Sequence, residues 1–102
     1  DQVIILSISE KYEKYARKVL NLLENNEIRA LVDNRNETMG KKIRDAEMQK
    51  VPYMIIVGEQ EELDGTVSVR KHGGEDLGTI SVKSFTSLIE EEIKRTLKEF
   101  KV

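Results

Sequence analysis

The stretch DNRNETMGKKIRDAEMQKVPYMIIV, residues 33–57, decides how this chain folds. Thr38 is placed to cap a helix that carries Ile43 on its apolar face, since a threonine oxygen can accept from the first free amides. That helix must end by Val51, because a residue before proline is pushed out of helical geometry. The continuously apolar run 53–57 follows at once and predicts a central strand that is buried on both faces.

Two strands and a helix are predicted upstream of this stretch. The apolar run 3–6 indicates a buried strand, and Ser9 can cap the helix that follows it. Apolar residues then repeat at helical spacing up to Asn25 and Asn26, which tolerate a left-handed turn. Residues 28–32 have the pattern of a second strand.

A connector, a hairpin and a final helix are predicted downstream. Residues 59–64 form an acidic connector that Gly65 closes, and residues 66–70 and 77–82 can pair across a glycine-containing turn. Ser84 is placed to cap the last helix. The apolar face of that helix is expected to hold six residues, namely Phe85, Leu88, Ile89, Ile93, Leu97 and Phe100.

The resulting order, β-α-β-α-β-β-β-α, predicts an α/β fold. Three parallel strands joined by right-handed crossovers, with a hairpin added beside them, give a three-layer mixed five-stranded sheet with three helices. We expect residues 1–102 to form a single domain. Asp1 opens directly into strand pattern without an initiator methionine, so the chain is interpreted as a piece of a longer protein.

The composition argues against several classes of function. The chain has no cysteine and one histidine, His72, so the material for a Ser-His-Asp or Cys-His nucleophile or a zinc site is lacking. We therefore expect no catalytic and no metal-binding residue, and a small enzyme is the disfavoured interpretation. No apolar run approaches the roughly 20 residues of a membrane helix. With a net charge of −2, any RNA contact must come from a local basic patch.

Polar side chains are expected to converge where two of the parallel strands end. Ligands of open α/β sheets gather at the carboxyl ends of the strands. One connector there carries Arg35 and Asn36, and the other carries Glu61. Arg44 projects from the helix between them, beside its apolar face, and Arg70 ends the adjacent fourth strand. A carboxylate, an amide and arginines suit the hydrogen-bonding edges of splayed RNA bases.

Nearly the whole chain resembles the C-terminal anticodon-binding domain of bacterial threonyl-tRNA synthetase, a class II aminoacyl-tRNA synthetase. The resemblance extends from Val3 to about Phe100. It is carried by residues 33–44, 51–54, 58, 65–70 and 76–78. It implies that this chain is the C-terminal piece of a larger synthetase and binds the anticodon loop of threonine tRNA.

The resemblance also implies which residues bind. Four positions that carry the family's residue types are expected to contact the anticodon, namely Asn36, Arg44, Glu61 and Arg70. Four further basic residues are expected to contact the RNA backbone or to support loops, namely Arg35, Lys41, Lys42 and Lys71. This piece would need no cofactor, whereas the parent would use ATP, magnesium and a zinc ion in its catalytic domain. The parent would be a cytoplasmic homodimer, and the isolated domain a monomer.

Several alternatives stay open at this point. Arg44 could instead form an ion pair on the helix surface with Asp45, Glu47 or Glu37, and Arg35 with Asp33 could brace the loop rather than touch RNA. The chain could also be the related domain of a prolyl-, histidyl- or glycyl-tRNA synthetase. A third possibility is an α/β binding module that does not recognise RNA.

Overall fold

A five-stranded mixed sheet forms the middle layer of the structure, a computed structural model that describes the backbone of residues 2–100 and the side chains of residues 2–92. The strands are β1 (Val3–Ser7), β2 (Ala30–Asp33), β3 (Tyr53–Val57), β4 (Thr66–Lys71) and β5 (Glu75–Ser81). Their order across the sheet is β2-β1-β3-β4-β5. β1 runs parallel to β2 and β3, and the hairpin β4–β5 continues antiparallel from β3, which confirms the predicted α/β topology.

Helices cover both faces of this sheet. They are α1 (Glu13–Asn25), α2 (Met39–Met48), α3 (Glu59–Asp64) and α4 (Val82–Phe100), and a 3-10 turn at Glu10–Tyr12 precedes α1. Three of them are the predicted helices, whereas α3 occupies the segment that was predicted as an acidic connector. Ile93, Leu97 and Phe100, which were predicted on the apolar face of α4, lie outside the described side chains.

The central strand β3 is buried on both faces, as its apolar sequence predicts. Tyr53, Ile55 and Val57 face the layer of α1 and α4, where Phe85 packs edge-on against Tyr53 with ring centroids 5.7 Å apart. Met54 faces the opposite layer and packs with the residues of α2. Complete burial of one such aliphatic or aromatic side chain contributes about 1.5–3 kcal/mol, so this strand holds the two layers together.

A hydroxyl cap was predicted for α2 and for α4, and only the first of these two predictions is confirmed. Thr38 caps α2 as expected, since its hydroxyl accepts from the amide of Lys41 at 3.2 Å. The prediction for α4 was wrong, because that helix starts at Val82 and Ser84 lies inside its first turn. Ser81 is placed before the helix instead, and its hydroxyl accepts from the amide of Ser84 at 3.1 Å.

Backbone conformation explains how two of the helices end. The left-handed residue after α1 is Glu27, with φ of 61°, rather than Asn25 or Asn26 as predicted. Helix α2 stops at Met48, before Pro52, so the prediction that this helix cannot pass the proline is confirmed.

Two glycines around α3 satisfy distinct requirements. Gly65 ends the helix with φ of 68°, a conformation that costs glycine little. A Cβ atom at Gly58 would collide with the Cδ1 atom of Ile8, so a larger residue here would require the exposed Ile8 side chain to move. None of the helices in the described part of the chain combines the length and apolarity that a bilayer crossing requires.

We predict that Thr66→Val raises the stability of the domain. Within the described residues, the Thr66 hydroxyl is a buried polar group without a hydrogen-bond partner. Such a group costs about 1–3 kcal/mol, and valine keeps its shape without the polar atom. Thr86→Val is the matched control, because the Thr86 hydroxyl donates to the carbonyl of Val82 at 2.9 Å. Thermal denaturation should show a higher melting temperature for Thr66→Val only, and a lower one for that variant would contradict the assignment.

Candidate functional site

An open face lies beside α2 on the hairpin half of the sheet. Strand register places Arg70 opposite Met54 and Ser68 opposite Ile56, so these polar residues share the face that α2 covers at the other half. Arg70 is exposed and Ser68 half-buried, which shows that α2 does not extend over β4. The hairpin therefore offers a polar surface directly beside a helix.

Arg44 lies on the flank of α2 that faces this surface. One helical turn further on, Glu47 accepts from the backbone amide of Gly73 at 3.4 Å and lies 3.3 Å from His72 Nδ1, both in the turn between β4 and β5. Residues three positions apart share a helix face, so Arg44 points to the hairpin side as Glu47 does. Asp45 marks the opposite flank, where it contacts the loop that follows β2.

The Arg44 guanidinium has no ion pair or hydrogen bond within the described part of the chain. Its exposed side chain is long enough to reach three nearby acids, which were the alternative partners in the sequence. Each of those acids has another partner: Asp45 binds Arg35 at 3.0 Å, Glu47 contacts His72 at 3.3 Å, and Glu37 binds Lys41 at 3.4 Å. The donors of Arg44 are therefore available to a ligand.

Glu61 borders the open face from α3. Its Oε2 atom accepts from the Ser68 hydroxyl at 3.4 Å, which ties the short helix to β4. The side chain is half-buried, so part of the carboxylate remains accessible to solvent. Glu61 thus supplies a hydrogen-bond acceptor next to a surface where arginine supplies donors.

Arg70 lies on the same face, but its position along the sheet differs from the one that the sequence predicted. The connectors after β2 and β3 do emerge at one edge, but Arg70 lies toward the far end of β4, about 7 Å beyond Ser68 along the strand. It is exposed and has no ion pair among the described residues. The β4–β5 register shifts between Val69 and Arg70, and a bulge of this kind can re-aim the side chain beside it.

Asn36 lies apart from this face, at the edge where β2 ends. It is exposed and borders a polar cavity of about 310 Å³, which Ser9 and Lys42 also line. The structure thus brings Arg44, Glu61 and Arg70 to one side of the sheet. It places Asn36 in the loop that leads into α2, two residues before the capping Thr38.

Arg35 braces that loop. Its Nε and Nη2 atoms donate to the two oxygens of Asp33 at 2.9 and 2.8 Å, and Nη2 also donates to Asp45 at 3.0 Å. The hydrogen bond from Arg35 is the main reason why the pKa of Asp33 lies below its usual value, and burial opposes this effect only in part. The loop that carries Asn36 is therefore fixed to both β2 and α2.

Lys42 supports the same loop from below. It is buried, with 7% of its surface exposed, and its ammonium group donates to the carbonyl of Asp33 at 3.2 Å. Lys41 and Lys71 are exposed instead, and they form ion pairs with Glu37 at 3.4 Å and with Glu92 at 3.9 Å. Four basic residues were expected to contact the RNA backbone or to support loops. Two of them, Arg35 and Lys42, support the loop after β2.

Two hydroxyl residues beside Glu61 were missed by the sequence argument. Ser68 donates to Glu61, and the Thr79 hydroxyl lies 3.2 Å from that of Ser68. The alternation of valine and polar residues along β4 could have placed Ser68 on the open face, but the register with β5 could not be read from the sequence. In the described part of the chain, no group of three or more acidic or histidine side chains could hold a metal ion.

Comparison with known proteins identifies a family for this arrangement. A family model described as an anticodon binding domain matches residues 2–92. The threonine–tRNA ligase of Flavobacterium johnsoniae is 67% identical over the whole chain, and that of Bacteroides fragilis is 49% identical over 98% of it. The chain spans 16% of the length of each of these curated relatives.

Solved structures agree with this result. The RNA binding domain of threonyl-tRNA synthetase from Cryptosporidium parvum matches with a TM-score of 0.82 and 28% identity, over 88% of this chain and 23% of that one. Prolyl-tRNA synthetase from the same organism matches with a TM-score of 0.81 and 25% identity, over 92% of this chain and 21% of that one.

We predict that the contribution of Asp33 to stability depends on pH. Its pKa in the folded protein lies below the ordinary value of 3.8, so this contribution is complete above about pH 4 and is lost as the pH falls through the lowered pKa. Thermal melts should show wild type above Asp33→Asn at about pH 6, with the gap closing in acid. In an Arg35→Gln background the gap should be much smaller at every pH. A wild-type gap that persists unchanged at about pH 2 would contradict this.

Proposed function

Because this chain belongs to the anticodon binding domain family, we propose that it binds the anticodon of threonine tRNA as the recognition module of a threonyl-tRNA synthetase. The relatives with the highest identities quoted above are threonine–tRNA ligases, and the chain corresponds to about a sixth of their length. Catalysis of threonine–tRNA ligation then belongs to a domain outside this chain. That domain would bind ATP, magnesium and zinc, in a cytoplasmic homodimer.

The observation that supports this proposal most directly is the open face with its unpaired arginines. Arg44 and Arg70 present donors without internal ion pairs in the described structure, and Glu61 presents an acceptor on the same side of the sheet. Guanine has adjacent N–H donors on its Watson–Crick edge and a carbonyl oxygen beside them. A carboxylate can accept from the donors while an arginine donates to the oxygen.

The threonine anticodon fits this set of groups. Its second and third nucleotides are always guanine and uracil, because all threonine codons begin with adenine and cytosine. Uracil adds carbonyl oxygens that arginine or the amide of Asn36 can contact. Lys41 and Lys71 lie at the exposed surface, where they can exchange their carboxylate partners for RNA phosphates.

The related domain of prolyl-tRNA synthetase is the second candidate, since one such enzyme has nearly the same fold. The sequence identity favours the threonine assignment, at 67% with a threonine–tRNA ligase against 25% with the prolyl enzyme. The anticodons separate the two cases, because proline anticodons carry guanine at both the second and the third position. Only the third nucleotide therefore distinguishes them.

The proposal can be tested by titrating the domain with anticodon stem-loops that differ only at the second and third anticodon positions. We expect the guanine–uracil stem-loop to bind tightest, with modest affinity that falls as salt rises. Preference for guanine at both positions would instead support the proline assignment. Sub-micromolar, salt-insensitive binding to an unrelated RNA would show a general RNA-binding surface.

We predict that Glu61→Gln weakens binding to the stem-loop with guanine at the second position by about 1–3 kcal/mol, as expected for loss of a specific base contact. Binding to a stem-loop with adenine there should change little, because adenine lacks the paired donors of guanine. Glu62→Gln is the matched control, since this exposed neighbour on α3 loses the same charge. If both changes strengthened every complex by a similar amount, Glu61 would be only a repulsive surface charge.

We predict that the neighbouring residues Lys41 and Lys42 differ in effect. Lys41→Ala should weaken all stem-loops about equally and reduce the salt dependence by about one phosphate contact. Lys42→Met should lower the melting temperature of the free domain, since it removes the buried donor to the Asp33 carbonyl. Isothermal titration at several salt concentrations and thermal melts would check both. Equal melting temperatures for Lys42→Met and wild type would contradict the supporting role.

A further inference from the structure

Two hydroxyl groups in line connect β5 to the carboxylate of Glu61. The Ser68 hydroxyl lies 3.4 Å from Glu61 Oε2, and the Thr79 hydroxyl lies 3.2 Å from that of Ser68. Ser68 and Thr79 are directly paired across β4 and β5, so their side chains stand on the same face of the sheet. The contact therefore follows from strand register rather than from a flexible loop.

The direction of these hydrogen bonds is fixed by the protons available. An ionised carboxylate can only accept, and a serine hydroxyl has a single proton to donate. Ser68 therefore gives its proton to Glu61, and Thr79 must donate to the oxygen of Ser68. This order makes Thr79 the anchor, Ser68 the link and Glu61 the end of the chain.

The other carboxylate oxygen of Glu61 points toward the start of α3. A Cβ atom built on Gly58 would lie 3.3 Å from Glu61 Oε1, so this oxygen lies close to the backbone at the start of α3. The hydrogen bond from the Ser68 hydroxyl to Oε2 is thus the described contact that restrains this carboxylate. Glutamate has several rotatable bonds, and α3 has only six residues, so without this hydrogen bond the carboxylate would sample many positions.

We propose that Ser68 is a positioning residue for anticodon recognition, which Thr79 orients, and that it fixes the Glu61 carboxylate before RNA binds. The proposal rests on the function proposed above, in which Glu61 reads guanine. A group that is already ordered loses less conformational entropy on binding. Ser68 therefore increases the preference for guanine without touching the base itself.

The test is the ratio of affinities for stem-loops with guanine and with adenine at the second anticodon position. Ser68→Ala should lower this ratio by roughly 3- to 10-fold, the change expected for one hydrogen bond. Thr79→Val should lower it less, and Ser68→Thr, which keeps the hydroxyl, should preserve it. Thr66→Val is the matched control, because it removes a hydroxyl without a described partner from the same face of β4. It should leave the ratio unchanged.

Two further measurements separate this inference from the proposed function. In a Glu61→Ala background, Ser68→Ala should have no additional effect on the ratio. If Glu61→Ala itself left the ratio unchanged, the reading of guanine by Glu61 would fail, and the positioning role with it. If Glu61→Ala abolished the preference but Ser68→Ala weakened both complexes equally, only the positioning role would fail.

The free domain offers a readout that needs no RNA. Three-bond scalar couplings that report χ1 of Glu61 should indicate one dominant rotamer in wild type and in Thr66→Val. In Ser68→Ala they should move toward rotamer-averaged values. Averaged couplings in the wild-type domain would overturn the inference, whatever the affinities are.

Discussion

Burial of β3 on both faces is the constraint on which the rest of the structure depends. A strand without a polar face needs a layer on each side, and these layers come from α1, which connects β1 to β2, and from α2, which connects β2 to β3. The hairpin strands carry a different demand. β4 buries Val67 and Val69 on one face only, so α1 and α4 suffice and the other face needs no cover. The open surface beside α2 is the result of this difference between neighbouring strands.

The acidic residues on the two flanks of helix α2 contact different segments of the chain. Its one flank is tied to the loop after β2 through Asp45 and Arg35, and its other flank is tied to the hairpin turn through Glu47. These contacts engage the acids that could otherwise neutralise Arg44. Although the net charge of the chain is −2, Arg44 therefore presents a positive charge without a carboxylate partner among the described residues. Among the described residues, the nearby basic groups Arg35 and Lys41 differ from Arg44 in that they have carboxylate partners.

The sequence predicted the fold well where one physical signal dominated. Pro52 and the apolar run after it fixed the central strand, and Thr38 fixed the start of α2. It predicted less where no single signal dominated. Residues 59–64 have no apolar periodicity, so α3 was not foreseen, and two serines three residues apart could each have capped α4.

The candidate site shows the same limit. The family resemblance and the predicted strand ends pointed to Arg44, Glu61 and Arg70, yet whether these residues share a surface depends on which face of β4 is open. Lys42 was expected to contact the RNA backbone or to support a loop, and helical geometry places it under the loop, where it is 7% exposed. The pairing of Ser68 with Thr79 became recognisable only with the register of β4 and β5, which local sequence does not encode. The bulge in that register has an effect of its own. Strand β5 is an edge of the sheet, and an edge with free amides and carbonyls invites pairing with another chain. The register shift at Val69 and Arg70, together with the positive φ of 80° at Gly78, interrupts the regular spacing that such a ladder requires. The irregularity beside Arg70 therefore also disfavours the pairing of another chain with this edge.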